Sequence, residues 1–198
     1  MLKEIKLFNN NIYKTKFNFN WKELKPIFEK MVDIKEQDDL EVGNATTSYR
    51  NKITPLQLPE LKQFYEYIKP IYNDILINKW NFPKNNEYKL SAGWISKYGT
   101  GGYIKQHFHT DVVAVICSYV QLPKNSGNII FKDPYYDTKS ITITENDKWL
   151  WKELNCKTND VIIFHGGCIH KTEANMSTND RWVITNNIFI EKNKSKFI

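Results

Sequence analysis

Three side chains able to hold a metal fall on alternate residues of the segment QHFHTD: His107, His109 and Asp111. In an extended strand, residues i, i+2 and i+4 share a face, so all three can point into one cavity. The four histidines of the chain occupy two short segments, GYIKQHFHTD and DVIIFHGGCIHK, the second contributing His165 and His170. Histidines with purely structural roles scatter along a sequence; these cluster. A distant strand that brought His170 beside the first pair would complete a centre. Two imidazoles and one carboxylate on one side of a ferrous ion leave three coordination positions open for substrate and oxygen, the facial arrangement of non-haem iron sites.

Arginine is the second signal. The chain carries 28 basic residues, and Arg50 and Arg181 are the two that are not lysine. Arg181 follows His170 by eleven residues and opens the run RWVITNNIFI. A guanidinium kept in a lysine-rich chain suits bidentate recognition of a carboxylate, which lysine does poorly. Arg50 lies in a polar stretch without comparable surroundings.

These residues need strands to hold them. From residue 88 onward the sequence breaks into short runs rich in β-branched and aromatic residues: YKLSAGWISKY, GYIKQHFH, VVAVICSYVQL, GNIIFKD, SITIT, DVIIFH, IHKTEA and RWVITNNIFI. Eight such runs separated by Gly, Pro, Asn and Asp predict an all-β barrel or sandwich. The first 87 residues carry helical periodicity instead. NWKELKPIFEKMVD places Trp21, Leu24, Ile27, Phe28 and Met31 at helical spacing behind Asn20, and residues 58–80 repeat the pattern with a break expected at Pro70. Between the helices, residues 36–55 read as a polar loop, either a plain connection or one that contacts substrate. A mainly β core with an N-terminal helical buttress follows, as a single domain over 1–198 with helical support in 1–87 and the core in 88–191.

Composition narrows the setting. Three cysteines without a CxxC pair argue against a disulfide framework or a cysteine-rich zinc site. No window approaches the ~20 apolar residues of a membrane span, so the expectation is a soluble, cytoplasmic protein. The net charge of +6 fits a solvated surface or attraction to a polyanion.

The segments GGYIKQHFHTDVVAVICSYVQLPKNSGNIIFKDP and DVIIFHGGCIHKTEANMSTNDRWVITNN resemble the iron(II)/2-oxoglutarate-dependent oxygenases, more narrowly a bacterial and phage group within them. The matching features are His107 and His109, the SYVQLPKNSG strand and turn, DVIIF, His170, Arg181 and Asn187. The resemblance implies a double-stranded β-helix, or jelly roll, with Fe(II) at one open end and 2-oxoglutarate and O2 as cosubstrates. It implies that Arg181 holds the distal carboxylate of 2-oxoglutarate, with Tyr119, Tyr98 or Thr185 assisting.

It also leaves two ligand sets in play. His109 and His170 are common to both; Asp111 supplies the third ligand where the His-x-Asp pattern of the wider superfamily applies, and His107 where the narrower group's register does. Asp111 is placed ahead of His107 because a carboxylate lowers the charge of a ferrous site. Many relatives carry serine where this chain has Val183, which bears on how the cosubstrate is held. His165 reads as a strand-end residue.

The activity implied is hydroxylation of a C–H bond, coupled to decarboxylation of 2-oxoglutarate to succinate. The substrate is a protein side chain, a nucleobase stacked on residues such as Trp94, Tyr103 or Trp149, or a small molecule. Two other readings use the same residues: a three-histidine jelly-roll metalloprotein that does not use 2-oxoglutarate, and a non-catalytic binding protein.

Overall fold

A computed structural model describes residues 2–7, 10–32, 40–134 and 150–191. Twelve strands and two α-helices run in the order β1(Lys3–Leu7), β2(Asn10–Lys16), α1(Trp21–Val32), β3(Glu41–Val42), β4(Ala45–Thr47), α2(Lys62–Asp74), β5(Glu87–Tyr98), β6(Tyr103–Ile104), β7(Ala114–Gln121), β8(Ile129–Lys132), β9(Trp151–Leu154), β10(Asp160–His165), β11(His170–Thr172) and β12(Arg181–Glu191). Seven strands form one sheet in the order β1-β2-β10-β7-β12-β5-β4; β11-β8-β9 form a second, and β3-β6 a short ribbon. His107 joins the second sheet through an isolated antiparallel bridge to His170. Every pairing among the described strands is antiparallel, and the chain passes repeatedly between the two sheets, which is the double-stranded β-helix.

The alternation of β12 shows why the chain folds this way. Trp182, Ile184 and Ile188 face the helices, where they join Leu24, Phe28, Phe64, Ile68 and Ile75 in one buried cluster. The Trp182 ring lies 5.5 Å from that of Trp21 and 6.2 Å from that of Phe28. Val183, on the opposite face, packs with Val115, Cys117, Tyr119, Ile129, Phe131, Ile162 and Phe164 between the sheets. Apolar residues on both faces are what a covered sheet demands. Helix α1 contributes Leu24, Phe28, Met31 and Val32 at helical spacing, as its sequence predicts. Helix α2 continues through Pro70 and passes into one π-helical turn over Ile75–Lys79, rather than breaking at the proline.

Several sequence expectations are revised. The stretch 1–87 is not purely helical: β1 and β2 extend the large sheet, and their short, lysine-interrupted runs KEIKL and NNIYKTK carry the weak apolar signal of strands at a sheet edge. Within 36–55, β3 and β4 pair with β6 and β5. Strand β9 was not anticipated, because WKEL alternates with two exposed charged residues. GYIKQHFH is strand over Tyr103–Ile104 alone, with His107 reaching a partner by its single bridge. The run SITIT and Trp149 lie outside the described residues.

Candidate metal and carboxylate site

His107 and His170 face each other across the two-bond antiparallel bridge: each backbone N–H donates to the other's carbonyl at 2.9 Å. His109 is fixed by its own N–H, which donates to the Gly166 carbonyl at 2.9 Å. A side chain at Gly166 would bring its Cβ within 2.1 Å of the Val112 carbonyl oxygen, so the close approach of these two segments requires glycine there. One potential ligand atom from each of His107, His109 and His170 lies within 4.8 Å of the others. Their rings are 4.2 Å (His107–His170), 5.2 Å (His107–His109) and 5.4 Å (His109–His170) apart, the last pair parallel to within 1°.

The rings are also oriented. Nδ1 of His107 lies 2.9 Å from the Lys105 carbonyl, and Nδ1 of His170 lies 2.8 Å from the Cys168 carbonyl. A carbonyl only accepts, so both imidazoles carry a proton on Nδ1, which leaves Nε2 as the ring nitrogen available to a metal. Nε2 of His109 is buried without a hydrogen-bond partner. Burial, reinforced by neighbouring His107, pulls His109 down to about 4 despite an opposing contact with Asn187. The same causes hold His170 well below its ordinary value. Trp94 stacks on His109 with ring centroids 6.0 Å apart, and Phe164 packs edge-on to His170 at 4.9 Å. Neutral imidazoles in such a cluster fit a divalent transition metal.

Asp111 is not part of this cluster. The strand does not reach this far: β6 ends at Ile104, His107 makes only an isolated bridge, residues 110 and 111 form a turn, Asp111 has φ +60°, and its side chain is exposed. No strand alternation therefore carries Asp111 onto the histidine face. His165 ends β10 and stacks against Phe82, away from the other three histidines.

Arg181 is 1% exposed and held by backbone. Its Nη1 donates to the carbonyls of Ser126 at 2.6 Å, Glu173 at 3.2 Å and Gly127 at 3.3 Å, and its Nη2 donates to the Thr172 hydroxyl at 3.0 Å. The Tyr98 ring lies against the guanidinium, 4.4 Å from its carbon, as the direct pairing of Arg181 with Tyr98 across β12 and β5 requires. Nε is buried without a partner. With Nη1 committed to carbonyls, the remaining donors lie on Nε and Nη2, the fork that matches a carboxylate. Gly127 makes this arrangement possible: it has φ +80°, and a Cβ there would lie 2.7 Å from the Glu173 carbonyl and 3.0 Å from Arg181 Nη1.

The three histidines stand between two spaces. On one side is an inner cavity of about 40 Å³, lined by His170, Tyr98, Tyr119, Thr172, Arg181 and Thr185 among others. On the other is an open groove of about 380 Å³, walled by Tyr49, Trp94, Phe108 and Phe189, with Glu41, Thr47, Thr110 and Asn187 among its polar members. Trp94, Ile104, His107 and His109 line both. Tyr119 engages Cys156, and the Thr185 hydroxyl lies 3.9 Å from Cys117 Sγ.

Sequence reading missed Thr172, the Ser126–Gly127 carbonyls and Glu41. Thr172 was within reach, since it shares a strand face with His170 two residues earlier. The carbonyls left no side-chain signal.

Residues 92–187 match the model of the family described as "Putative 2OG-Fe(II) oxygenase". In fold the chain is similar to a Pseudomonas putida prolyl-4-hydroxylase, with a TM-score of 0.59 at 10% identity over 92% of this chain and 94% of that one. It is likewise similar to the viral collagen prolyl hydroxylase of Paramecium Bursaria Chlorella virus-1 in its 2OG complex, with a TM-score of 0.58 at 12% identity over 89% and 94%. A third similar structure is SnoN, a non-heme alpha ketoglutarate dependent epimerase from nogalamycin biosynthesis, with a TM-score of 0.59 at 11% identity over 90% and 78%. A search of the curated proteins finds no match to the sequence. Among the described residues no helix is long and apolar enough to cross a membrane.

Proposed function

We propose that this chain, whose residues 92–187 match the 2OG-Fe(II) oxygenase family, has a three-histidine iron site and an arginine-held cosubstrate and hydroxylates a side chain on a peptide substrate. His107, His109 and His170 hold the iron through Nε2. The observation that carries the reading is a set of orphaned polar atoms around one space: His109 Nε2 and Arg181 Nε are both buried and both lack a protein partner. An unpaired buried polar atom is costly, and a native site keeps one where a ligand will meet it.

Each residue has a stated task. The carbonyls of Lys105 and Cys168 keep the protons of His107 and His170 on Nδ1, so both rings stay ready to donate electron pairs from Nε2. Arg181, with its charge opposed by carbonyl dipoles and no carboxylate of the described residues in direct contact, receives the distal carboxylate of 2-oxoglutarate on the Nε–Nη2 fork. The Tyr98 ring covers one face of the guanidinium and excludes water from it. Asp111 ligates nothing in this reading. Iron with 2-oxoglutarate and O2 supplies the oxidising power, 2-oxoglutarate leaving as succinate and CO2 while one oxygen atom is transferred to the substrate.

The substrate enters the outer groove, where Tyr49, Trp94, Phe108 and Phe189 form apolar walls around a side-chain-sized space. Glu41, 7% exposed in that wall, disfavours a phosphate backbone, which supports a protein substrate over a nucleic acid. The prolyl hydroxylases among the similar structures lend the same direction. The testing experiment is an anaerobic titration with Fe(II) and then 2-oxoglutarate, followed by the visible charge-transfer band of the chelate. The band is expected in the unaltered protein and expected to vanish in Arg181→Ala, while His170→Ala should bind no iron. Iron binding with no band would replace this reading by the metalloprotein that does not use 2-oxoglutarate.

A further inference from the structure

The Thr172 hydroxyl has one more hydrogen bond to make than the protein offers it. Its oxygen accepts from Arg181 Nη2 at 3.0 Å and from the Ile104 backbone N–H at 3.1 Å. A threonine hydroxyl has two acceptor lone pairs and one donor proton, so both acceptor positions are filled. Among the described residues no protein acceptor takes the proton. Thr172 lines the inner cavity together with Arg181 and His170. We infer that Thr172 is a specificity residue for the cosubstrate: its O–H donates to the same distal carboxylate that Arg181 recognises.

The surroundings leave this task to Thr172. Val183 shares the Arg181 face of β12 and lines the same cavity without a hydrogen-bonding group. Tyr98 meets the guanidinium with its ring, Tyr119 engages Cys156, and Thr185 approaches Cys117. Thr172 also sits where a dicarboxylate would end. It lies two residues beyond His170 on β11, on the same strand face and about 7 Å along it, the reach of a five-carbon diacid that is chelated at its other end. The two accepted bonds fix the oxygen against rotation of the side chain, and the proton is thereby aimed into the cavity.

The inference rests on the proposed role of Arg181, and the experiment separates the two. Dissociation constants for 2-oxoglutarate and for 2-oxobutanoate, which lacks the distal carboxylate, are measured anaerobically on the Fe(II)-loaded protein from the charge-transfer band. Thr172→Val is expected to weaken 2-oxoglutarate by about 10- to 100-fold, Thr172→Ser to stay within about threefold of the unaltered protein, and 2-oxobutanoate to bind all three alike. Fe(II) affinity without cosubstrate should not change. A second cycle in an Arg181→Lys background distinguishes donation from mere positioning of the arginine. If Thr172 donates directly, Thr172→Val weakens 2-oxoglutarate again there; if it has no further effect, Thr172 acts through Arg181 and the inference is overturned. An unchanged affinity in Thr172→Val beside a large loss in Arg181→Lys would also overturn it, with the Arg181 reading intact. Equal binding of both keto acids by the unaltered protein would remove both.

Discussion

Strand β12 has two faces that are equally buried and chemically opposite. On one, Trp182, Ile184 and Ile188 are at most 1% exposed and pack into the helices. On the other, Arg181 is 1% exposed as well, with Thr185 and Asn187 at 8%. What separates them is where unpaired polar atoms gather. On the helix side Trp182, Ile184 and Ile188 carry almost no polar atoms, and Asn186 alone among these residues has a buried, unpartnered Oδ1, whereas the site side holds Arg181 Nε, His109 Nε2 and Asn187 Oδ1, all buried and unpartnered. Neither burial nor a single unpaired atom marks the site; the convergence of Arg181 and His109 on one cavity does. The comparison also explains how one strand serves both purposes, because alternate residues of a covered strand are independent in chemistry while sharing one backbone.

The sharpest way to break the comparison is to remove bulk from the helix side. Trp182→Ala should destabilise by about 3–5 kcal/mol in chemical denaturation, with iron content per folded molecule unchanged. A loss of iron stoichiometry in the folded fraction would mean that the faces are coupled. Next in size is the metal-free protein's response to acid. His109 is held at about 4 when folded, against about 6.5 for an unperturbed imidazole. Between those values the unfolded chain binds more protons, so this contribution is complete above the unfolded value and is lost as pH falls through the window. From His109 alone, unfolding free energies measured at pH 6.5 and 5 should differ by roughly 2 kcal/mol; His170, lowered in the same direction, adds to the difference, so His109→Gln should remove the His109 share and leave the remainder.

Gly127→Ala tests the backbone cradle of Arg181. Its positive φ and the carbonyls that its Cβ would meet predict a loss of about 1–3 kcal/mol, accompanied by weaker 2-oxoglutarate binding in the same titration. Stability lost without any change in cosubstrate affinity would show that the cradle does not hold the guanidinium. The smallest effect is expected at Asp111→Asn. Asparagine tolerates the left-handed turn, and the side chain is exposed outside the histidine cluster, so metal affinity and stability should both stay within about 0.5 kcal/mol. A large loss of iron affinity there would restore the carboxylate as a ligand.

The histidine cluster was legible because histidine is rare in this chain and confined to two short segments. His107, His109 and His170 are brought together, one potential ligand atom of each lying within 4.8 Å of the others. Asp111 was misplaced because the strand rule was applied beyond the end of β6, and a positive φ at a non-glycine residue leaves no certain mark in sequence. Arg181 stood out in the sequence as one of two arginines, but its cradle did not, since three of its four hydrogen bonds go to main-chain carbonyls. An all-β barrel or sandwich was readable from the run of β-branched segments after residue 88, and the jelly roll in particular from the family resemblance. Strands β1 to β4 were not, because short runs rich in polar and charged residues take their conformation from the neighbours they pair with.

The position of β12 has a consequence for how the molecule comes into being. It is the last of the described strands in the chain, yet it lies in the middle of the large sheet, bonded to β7 on one side and β5 on the other. During synthesis, β7 and β5 therefore leave the ribosome with facing edges that nothing yet fills. Until the final strand emerges, the nascent chain exposes two templates for pairing with other chains. Its passage through the cell thus depends on a late, long-range closure, which makes folding slow and favours escort by a chaperone until residue 191 is free.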